Sequence, residues 1–280
     1  EPDEAVKTQA EEVCRQVYEL PKRDIGTAEA VYLSEHVLQP TDTVVLDGYS
    51  FGTDYHQVIR QKGCALVSID DIHQYPFVAD VVLNQAGGVE ADKYSTPPYT
   101  KLLLGPKYAL LRQPFLKASR AERSLPAGDL RVLLNMGGAD PQNHTLQVAR
   151  QLAATEGVAG IDIVVGGAYR HLDQLQGWLQ EHPNYRLHRN LSAEQMCRLM
   201  QSCVVAVTSA SGVAYEYAAV GGVLLVLQTA DNQADHFRFL TGSGVALKYE
   251  ASSKLSAQNV AEQFYQQLNR QRQYFDGQSD

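Results

Sequence analysis

Residues 203–216 read Cys-Val-Val-Ala-Val-Thr-Ser-Ala-Ser-Gly-Val-Ala-Tyr-Glu. The apolar run at 203–207 has the length and composition that predict a buried strand. Small residues follow and predict a tight turn, after which residues 212–220 predict a helix. A strand that passes into a helix through a short turn is the repeating unit of parallel α/β sheets.

The same unit recurs on both sides of this stretch. Apolar runs predict strands at 130–135, 161–165, 185–188 and 223–227, and helices are predicted at 142–155, 171–181, 192–201 and 232–242. This alternation predicts a doubly wound α/β domain. We place that domain at 129–256, and we place a glutamine-rich helical segment that could cross back to the first domain at 257–280.

A shorter series precedes it and predicts a second α/β domain, at 1–118. Its strands are predicted at 43–47, 64–69 and 80–84, with a helix at 54–62. The polar segment 118–128 contains Pro126 and lacks apolar periodicity, so we predict an interdomain linker there. Two such domains would face a cleft, and ligands of open parallel sheets bind beyond the carboxyl ends of the strands.

Composition excludes several classes of protein. The 280 residues, 44% hydrophobic and 20% charged, suffice for two domains. A net charge of −8 argues against a nucleic-acid partner, so any phosphate must be held by local contacts. Apolar runs too short to span a bilayer, and a start without signal-peptide features, predict a cytoplasmic protein without a membrane partner. Four cysteines without metal-ligand spacing predict free thiols and no metal.

Two turns are candidates for binding an anion. Asn135-Met-Gly-Gly-Ala-Asp140 links a strand to a helix expected to begin near Pro141, and Gly137 and Gly138 would let main-chain N–H groups approach a phosphate. Thr208-Ser209-Ala-Ser211-Gly212 repeats that arrangement. Either turn could instead be a plain βα connection with hydroxyl caps. Two such turns in one domain favour a nucleotide.

Five further residues could have either a structural or a ligand-binding role. Glu216, one turn into its helix, could offset the helix dipole or accept hydrogen bonds from a ribose diol. Asp231 could be a helix cap, while the amides of Asn232 and Gln233 could bind sugar groups. His236 lies deeper in the helix, so a core or surface position is favoured over a role in binding.

The first domain offers weaker candidates. Asp70 and Asp71 are adjacent, so in a strand their side chains would point to opposite faces, and one of them is predicted to be structural. Residues 105–112, Gly-Pro-Lys-Tyr-Ala-Leu-Leu-Arg, predict a buried turn with a tethering arginine, Arg112.

These motifs together resemble a known family. Asp47-Gly-Tyr49, Ile69-Asp-Asp71, Leu83-Asn84, the 105–112 stretch, Met136–Asp140, Ser209–Glu216 and Asn232-Gln233 occur in the order seen in the UDP-2,4-diacetamido-2,4,6-trideoxy-β-L-altropyranose hydrolases of pseudaminic acid biosynthesis. The family has the GT-B fold, with two Rossmann-like domains, and is similar to the peptidoglycan UDP-GlcNAc transferase. The match runs from about Leu46 to Tyr249, and 105–112 is its most specific part.

The resemblance implies a set of roles. UDP would be bound by Gly137, Gly138, Ser209, Ser211, Gly212 and Glu216. Tyr49 and Asn232 would act at the sugar as catalytic residues, and Gln233 would bind the sugar. Water would replace UDP at the anomeric carbon with inversion and without a metal or cofactor. Because UDP is a good leaving group, one base and an anion cradle suffice.

One family feature is missing from the sequence. The family opens with a Gly-x-Gly-His-x-x-Arg loop whose histidine is assigned to the attacking water, and no such motif occurs here. The first domain is therefore predicted to be incomplete, and this chain is expected to bind UDP but to hydrolyse a UDP-sugar poorly. We expect a monomer. A GT-B glycosyltransferase, a non-catalytic UDP-sugar-binding module and a hydrolysing epimerase are the alternatives.

Overall fold

The computed structural model describes residues 4–20, 26–125, 130–251 and 255–275. Its contacts divide the chain into two compact units. Unit 1 comprises the described residues up to Leu83 together with Tyr94–Leu102, and unit 2 comprises Asn84–Lys93 and the described residues from Leu103 onward. This division differs from the predicted one, because residues 84–93 and 103–118 group with unit 2. The boundaries 1–118, 129–256 and 257–280 stay a prediction, and residues 126–128 of the predicted linker lie outside the described residues.

Unit 1 is built on a four-stranded sheet with the order β1-β2-β3-β4. Its elements are α1 (Glu4–Val13), α2 (Thr27–His36), β1 (Thr43–Asp47), α3 (Thr53–Gln61), β2 (Ala65–Ile69), β3 (Val81–Asn84) and β4 (Lys101–Leu104). The first three strands pair in parallel. Strand β1 lies at an edge of this sheet, and Val45 on it is 57% exposed.

Unit 2 is a six-stranded parallel sheet with helices on both faces. Its elements are α4 (Gln113–Ser119), β5 (Leu130–Asn135), α5 (His144–Ala153), β6 (Val158–Val165), α6 (Leu172–Leu179), β7 (Arg186–Arg189), α7 (Ala193–Ser202), β8 (Val205–Ser209), α8 (Gly212–Val220), β9 (Val223–Leu227), α9 (Ala234–Gly242), β10 (Leu247–Lys248) and α10 (Ala257–Phe275). Short 3-10 helices span Ala91–Lys93, Pro106–Tyr108 and Asp231–Gln233. The strand order is β10-β9-β8-β5-β6-β7.

The strands of unit 2 are apolar on both faces because helices cover both. Leu133 of β5 packs with α7 and α8, whereas Val132 and Leu134 pack in a second core with α5 and α6. This double burial explains why the strands read as continuous apolar runs rather than as alternating patterns. The fold prediction for this half is confirmed, with the strands within a few residues of the predicted positions.

The strand order sets the place where a ligand can bind. From β5 the chain builds outward through β6 and β7, and then returns to the other side of β5 to build β8, β9 and β10. The order therefore reverses between β5 and β8. Turns that leave the carboxyl ends of these two strands diverge and open a crevice, which is where doubly wound sheets bind ligands.

Candidate functional site

The two anion-competent turns lie side by side at the reversal point. Residues 135–140 follow β5 and residues 208–212 overlap the end of β8, and these strands are direct neighbours with Asn135 opposite Thr208. A Cβ atom built on Gly137 would lie 3.8 Å from Oγ of Ser209. The two turns are therefore close enough to contact one ligand.

A cavity of about 320 Å³ opens between these turns. Its lining combines the glycine turn, the start of α8 and an apolar wall: Arg112, Asn135, Gly137, Gly138, Val164, Val165, Gly166, Asn190, Leu191, Met196, Ser211, Val213 and Glu216. Four predicted UDP-binding residues, Gly137, Gly138, Ser211 and Glu216, belong to this lining. The volume is in the range of small-molecule sites.

A third glycine turn, which the sequence analysis did not single out, supports the first. Gly166 follows β6, and a Cβ atom placed on it would lie 2.6 Å from the carbonyl oxygen of Gly138 and 2.8 Å from its Cα. Only glycine permits this approach of two main chains. The Gly-Gly pair at 166–167 after a predicted strand was the available signal for this turn.

Helix α5 does not offer the open start that the sequence suggested. It begins at His144 rather than near Pro141, because Asp140 and Asn143 adopt left-handed backbone conformations with φ of 38° and 57°. The Asp140 carboxylate accepts hydrogen bonds from the N–H groups of His144 (2.9 Å) and Thr145 (2.7 Å). The Asn135 side chain accepts from the N–H of Gly137 at 2.9 Å. The prediction that this helix begins near Pro141 is therefore wrong, while the anion-binding role of the amides at 137–141 stays a prediction.

Helix α8 keeps an open start. Its N-cap is Ser211, whose side chain makes no capping hydrogen bond to the helix. The first N–H groups of a helix, here those of Gly212 and Val213, have no intrahelical partner. Ser209 lies buried behind the cavity, and its hydroxyl lies 3.0 Å from that of Ser211. One helix start and two hydroxyl groups thus remain as the anion-competent part of the site.

Glu216 forms an ion pair that neither of its predicted roles included. Arg112 donates from Nε to Oε1 of Glu216 at 2.7 Å and from Nη2 to Oε2 at 2.9 Å. Glu216 is 9% exposed, and it and Arg112 are the two charged residues among the described residues that line the cavity. Hydrogen bonding to Glu216 raises the pKa of Arg112. The predicted tethering role of Arg112 is confirmed, and its partner is Glu216. The predicted burial of the 105–112 turn is wrong, since Leu110 is 52% exposed and Ala109 is its buried residue.

Asn232 and Gln233 lie apart from the cavity lining, in the 3-10 helix Asp231–Gln233. Oε1 of Gln233 accepts from the N–H of Thr229 at 2.9 Å and from its hydroxyl at 3.2 Å, which fixes the turn after β9. The sugar-binding roles assigned to Asn232 and Gln233 stay predictions.

His236, further along α9, is a core residue, as predicted. It is 5% exposed, and its ring lies 5.1 Å from the ring of Tyr215. Burial lowers its pKa to about 4. It is therefore neutral near pH 7.

In unit 1, the residues that follow β1 and β2 form a small polar cluster. Tyr49 is 59% exposed and donates its hydroxyl hydrogen to Asp71 at 3.0 Å. Asp70 accepts from the N–H of His73 at 2.9 Å and from the hydroxyl of Tyr94 at 2.8 Å. Asp70 is thus the structural member of the pair, as predicted. The catalytic role of Tyr49 stays a prediction.

No described helix is both long and apolar enough to cross a membrane. The described part of the chain brings together no group of three or more His, Cys, Asp or Glu that could hold a metal ion.

Comparison with known proteins gives relatives of low identity. The chain is 24% identical over 245 residues to the UDP-2,4-diacetamido-2,4,6-trideoxy-β-L-altropyranose hydrolase of Campylobacter jejuni, covering 86% of this chain and 84% of that protein. It is 25% identical over 174 residues to the spore coat polysaccharide biosynthesis protein SpsG of Bacillus subtilis, covering 60% of this chain and half the length of SpsG. No protein-family model matches the chain. The predicted resemblance is confirmed.

The fold has solved counterparts. The crystal structure of Acinetobacter baumannii MurG superposes with a TM-score of 0.56 at 16% identity, over 95% of this chain and 80% of that one. At this identity the likeness concerns the fold alone. It confirms the predicted fold class, an α/β protein of the GT-B type with two units on parallel sheets.

Proposed function

We propose that unit 2 binds UDP in the cavity between β5 and β8, and that the protein is an enzyme of UDP-sugar metabolism. The observation that carries this proposal is the open start of α8 facing a glycine turn at the reversal of strand order. Main-chain N–H groups at a helix start bind phosphate because they are unpaired and carry the positive end of the helix dipole. With a net charge of −8, the chain needs such a local cradle.

The diphosphate would lie against the start of α8. Gly212 and Val213 supply main-chain N–H groups, and the Ser211 hydroxyl lies at the cavity wall with Ser209 behind it. A Cβ atom on Gly138 would meet no heavy atom within 4 Å, and one on Gly137 would meet only Oγ of Ser209 at 3.8 Å, so the missing side chains leave open space for a ligand. The role proposed for Gly137 is steric, since Asn135 holds its N–H.

The apolar part of the lining suits a flat base. It consists of Val164, Val165, Leu191 and Met196, and Asn190 of the same lining has a left-handed backbone with φ of 50°. Nucleotide pockets combine apolar contact with a few placed polar groups. Glu216 belongs to the same lining and is proposed to accept hydrogen bonds from the ribose.

The reaction we propose is hydrolysis of a UDP-linked 2,4-diacetamido-trideoxyhexose, with inversion, in nonulosonic acid biosynthesis. It is supported by the similarity to the Campylobacter hydrolase and by the motif order shared with that family. Tyr49, Asn232 and Gln233 are the residues proposed to act on the sugar. Because the sequence lacks the family's histidine loop, binding and turnover are separate expectations, and we expect slow turnover.

Two measurements test the proposal. Titration calorimetry with UDP should show one site per chain, and the absence of UDP binding would overturn the proposal. UDP release from the UDP-sugar should then be followed with and without an added acceptor sugar. Slow release that needs no acceptor supports a hydrolase, acceptor-dependent release supports a glycosyltransferase, and binding without release supports a non-catalytic module.

A further inference from the structure

We infer that Arg112 is a positioning residue that makes Glu216 a reader of the ribose diol, so that the site distinguishes ribose from 2′-deoxyribose. The inference rests on the proposed function, since it concerns the same cavity. Arg112 lies at the N-cap of α4, outside both predicted nucleotide-binding turns, and its side chain is 49% exposed.

The geometry of the pair fixes the carboxylate. Nε and Nη2 of Arg112 donate one hydrogen bond to each oxygen of Glu216, so the guanidinium and carboxylate planes are held in a two-bond fork. The guanidinium carbon lies 5.1 Å from the ring centre of Phe115, which is fully buried and supports the arginine from below. The carboxylate thus cannot rotate without breaking two charge-assisted bonds.

Fixing the carboxylate has a chemical purpose. A carboxylate has about four lone-pair positions, and the fork uses two, so both oxygens of Glu216 can still accept one hydroxyl each. Two fixed acceptors on a cavity wall match the two neighbouring hydroxyl groups of a ribose. Arg112 also neutralises Glu216, which would otherwise place an uncompensated negative charge beside a diphosphate.

If Arg112 only stabilised the fold, it would not affect the preference of the site for ribose over 2′-deoxyribose. A residue that only stabilised the fold would affect the binding of UDP and 2′-deoxy-UDP equally. A fixed diol reader affects their ratio, because the deoxy ligand leaves one fixed acceptor without a donor. The ratio of the two dissociation constants is therefore the informative quantity.

The experiment compares dissociation constants for UDP and 2′-deoxy-UDP, measured by calorimetry, in five proteins. They are the wild type, Arg112→Lys, Arg112→Met, Glu216→Gln and the control Arg120→Met, an exposed arginine outside this cavity. For the wild type and the control we expect UDP to bind at least about tenfold tighter, the discrimination that an unpaired buried acceptor produces. Arg112→Met and Glu216→Gln should lower that ratio to about one to three on the same reasoning.

The Arg112→Lys variant separates the effect of the positive charge from that of the two-bond geometry. It keeps the positive charge but cannot form the two-bond fork, so its ratio should fall toward that of Arg112→Met even where thermal unfolding shows an intact fold. A wild-type ratio in folded Arg112→Lys and Arg112→Met would overturn the inference while leaving UDP binding in place. A wild type that binds neither ligand would overturn the proposed function first, and this inference with it.

Discussion

At Gly212, substitution can test the contribution of a single main-chain N–H group to the proposed phosphate contact. It is the first residue of α8, and a Cβ atom built on it would have no heavy atom within 4 Å. Ser211 before it is extended, with φ of −134° and ψ of −168°, and so lies outside the helical region that a following proline disfavours. The first helical position also tolerates proline.

We therefore expect Gly212→Pro to fold and to bind UDP about 10- to 100-fold more weakly, because it removes one N–H group of the proposed phosphate cradle. Gly212→Ala keeps that N–H group and should bind UDP within about threefold of the wild type. Calorimetry at one salt concentration measures both. Equal affinities of the alanine and proline variants would show that the phosphate does not contact the start of α8.

The buried side chain of His56 should make the stability of unit 1 depend on pH. It is fully buried on α3 beside Tyr75 and Phe77, and neither ring nitrogen has a hydrogen-bond partner among the described residues. Burial lowers the pKa of His56 to about 4. The unfolded chain protonates near the ordinary value of about 6.5, so between pH 6.5 and 4 it binds more protons than the folded unit.

The contribution of neutral His56 to the free energy of unfolding should therefore be fully present above about pH 6.5. It should fall, by a few kcal/mol in order of magnitude, as the pH drops toward 4. His56→Phe should reduce this pH dependence, since the ring remains and the titrating group is removed. Urea unfolding at pH 7.5 and pH 4.5 measures it, with the exposed His36→Gln as a control. An unchanged pH dependence in His56→Phe would contradict the assignment.

Residues whose role follows from their type and local sequence could be predicted. Residues whose role depends on contacts with distant parts of the chain were missed. Gly137 and Ser211 were found because glycine and serine after an apolar run have a local meaning. Gly166 and the role of Asp140 were missed because each depends on a main chain that approaches from elsewhere. The pairing of Arg112 with Glu216 joins residues far apart in sequence, so no local pattern could indicate it.

Among the elements, α10 shows why a helix can be rich in glutamine and still be buried. Strand β10 has two residues and leaves part of β9 without a neighbouring strand. Gln267 accepts from the N–H of Leu224 at 2.9 Å, and Gln271 both accepts from the N–H of Gly222 at 3.1 Å and donates to its carbonyl at 2.8 Å. Two amide side chains four residues apart thus act as a substitute strand.

We expect Gln271→Leu to destabilise unit 2 by roughly 2–4 kcal/mol, because it leaves buried main-chain groups of Gly222 and Val245 without partners. The exposed Gln266→Leu on the same helix should change stability by less than about 0.5 kcal/mol. Chemical denaturation of both variants provides the measurement. Similar small effects in both would mean that the amide of Gln271 is not needed at the edge of β9.

Most strands of unit 2 were predictable because helices bury both faces, which leaves a continuous apolar signal. Elements without that signal were missed: α2, α4, β4 and β10 are short or only partly apolar. The start of α5 was misplaced because two non-glycine residues in left-handed conformations delay it, and sequence gives little warning of such turns.

At the scale of the molecule, the two units differ in the completeness of their sheets. Unit 2 has β7 and the short β10 at its edges, and β7 is flanked by Arg186 and Arg189, charges that discourage strand addition. Unit 1 has the apolar β1 at an edge, and no described strand pairs with its outer side. The incomplete first domain that the missing family motif implies stays a prediction.

UDP should raise the free energy of unfolding of the protein, because the proposed site lies in unit 2 and exists in the folded state. At a concentration 100 times its dissociation constant, a ligand that binds only the folded state adds about 2.7 kcal/mol. For a unit of this size that corresponds to a rise in midpoint of roughly 5–10 °C. Differential scanning calorimetry with UDP, and with uridine as a control lacking the diphosphate, measures it. Equal shifts with both compounds would contradict a site built around phosphate.

The hydroxyl groups of Ser209 and Ser211 share one hydrogen bond at 3.0 Å. A rotation about one side-chain bond in each would redirect them to an incoming oxyanion, with no rearrangement of the main chain at these two residues. The phosphate contacts proposed at the start of α8 would then need little ordering when the nucleotide arrives. Groups that are ordered before binding cost less conformational entropy on binding, which strengthens affinity.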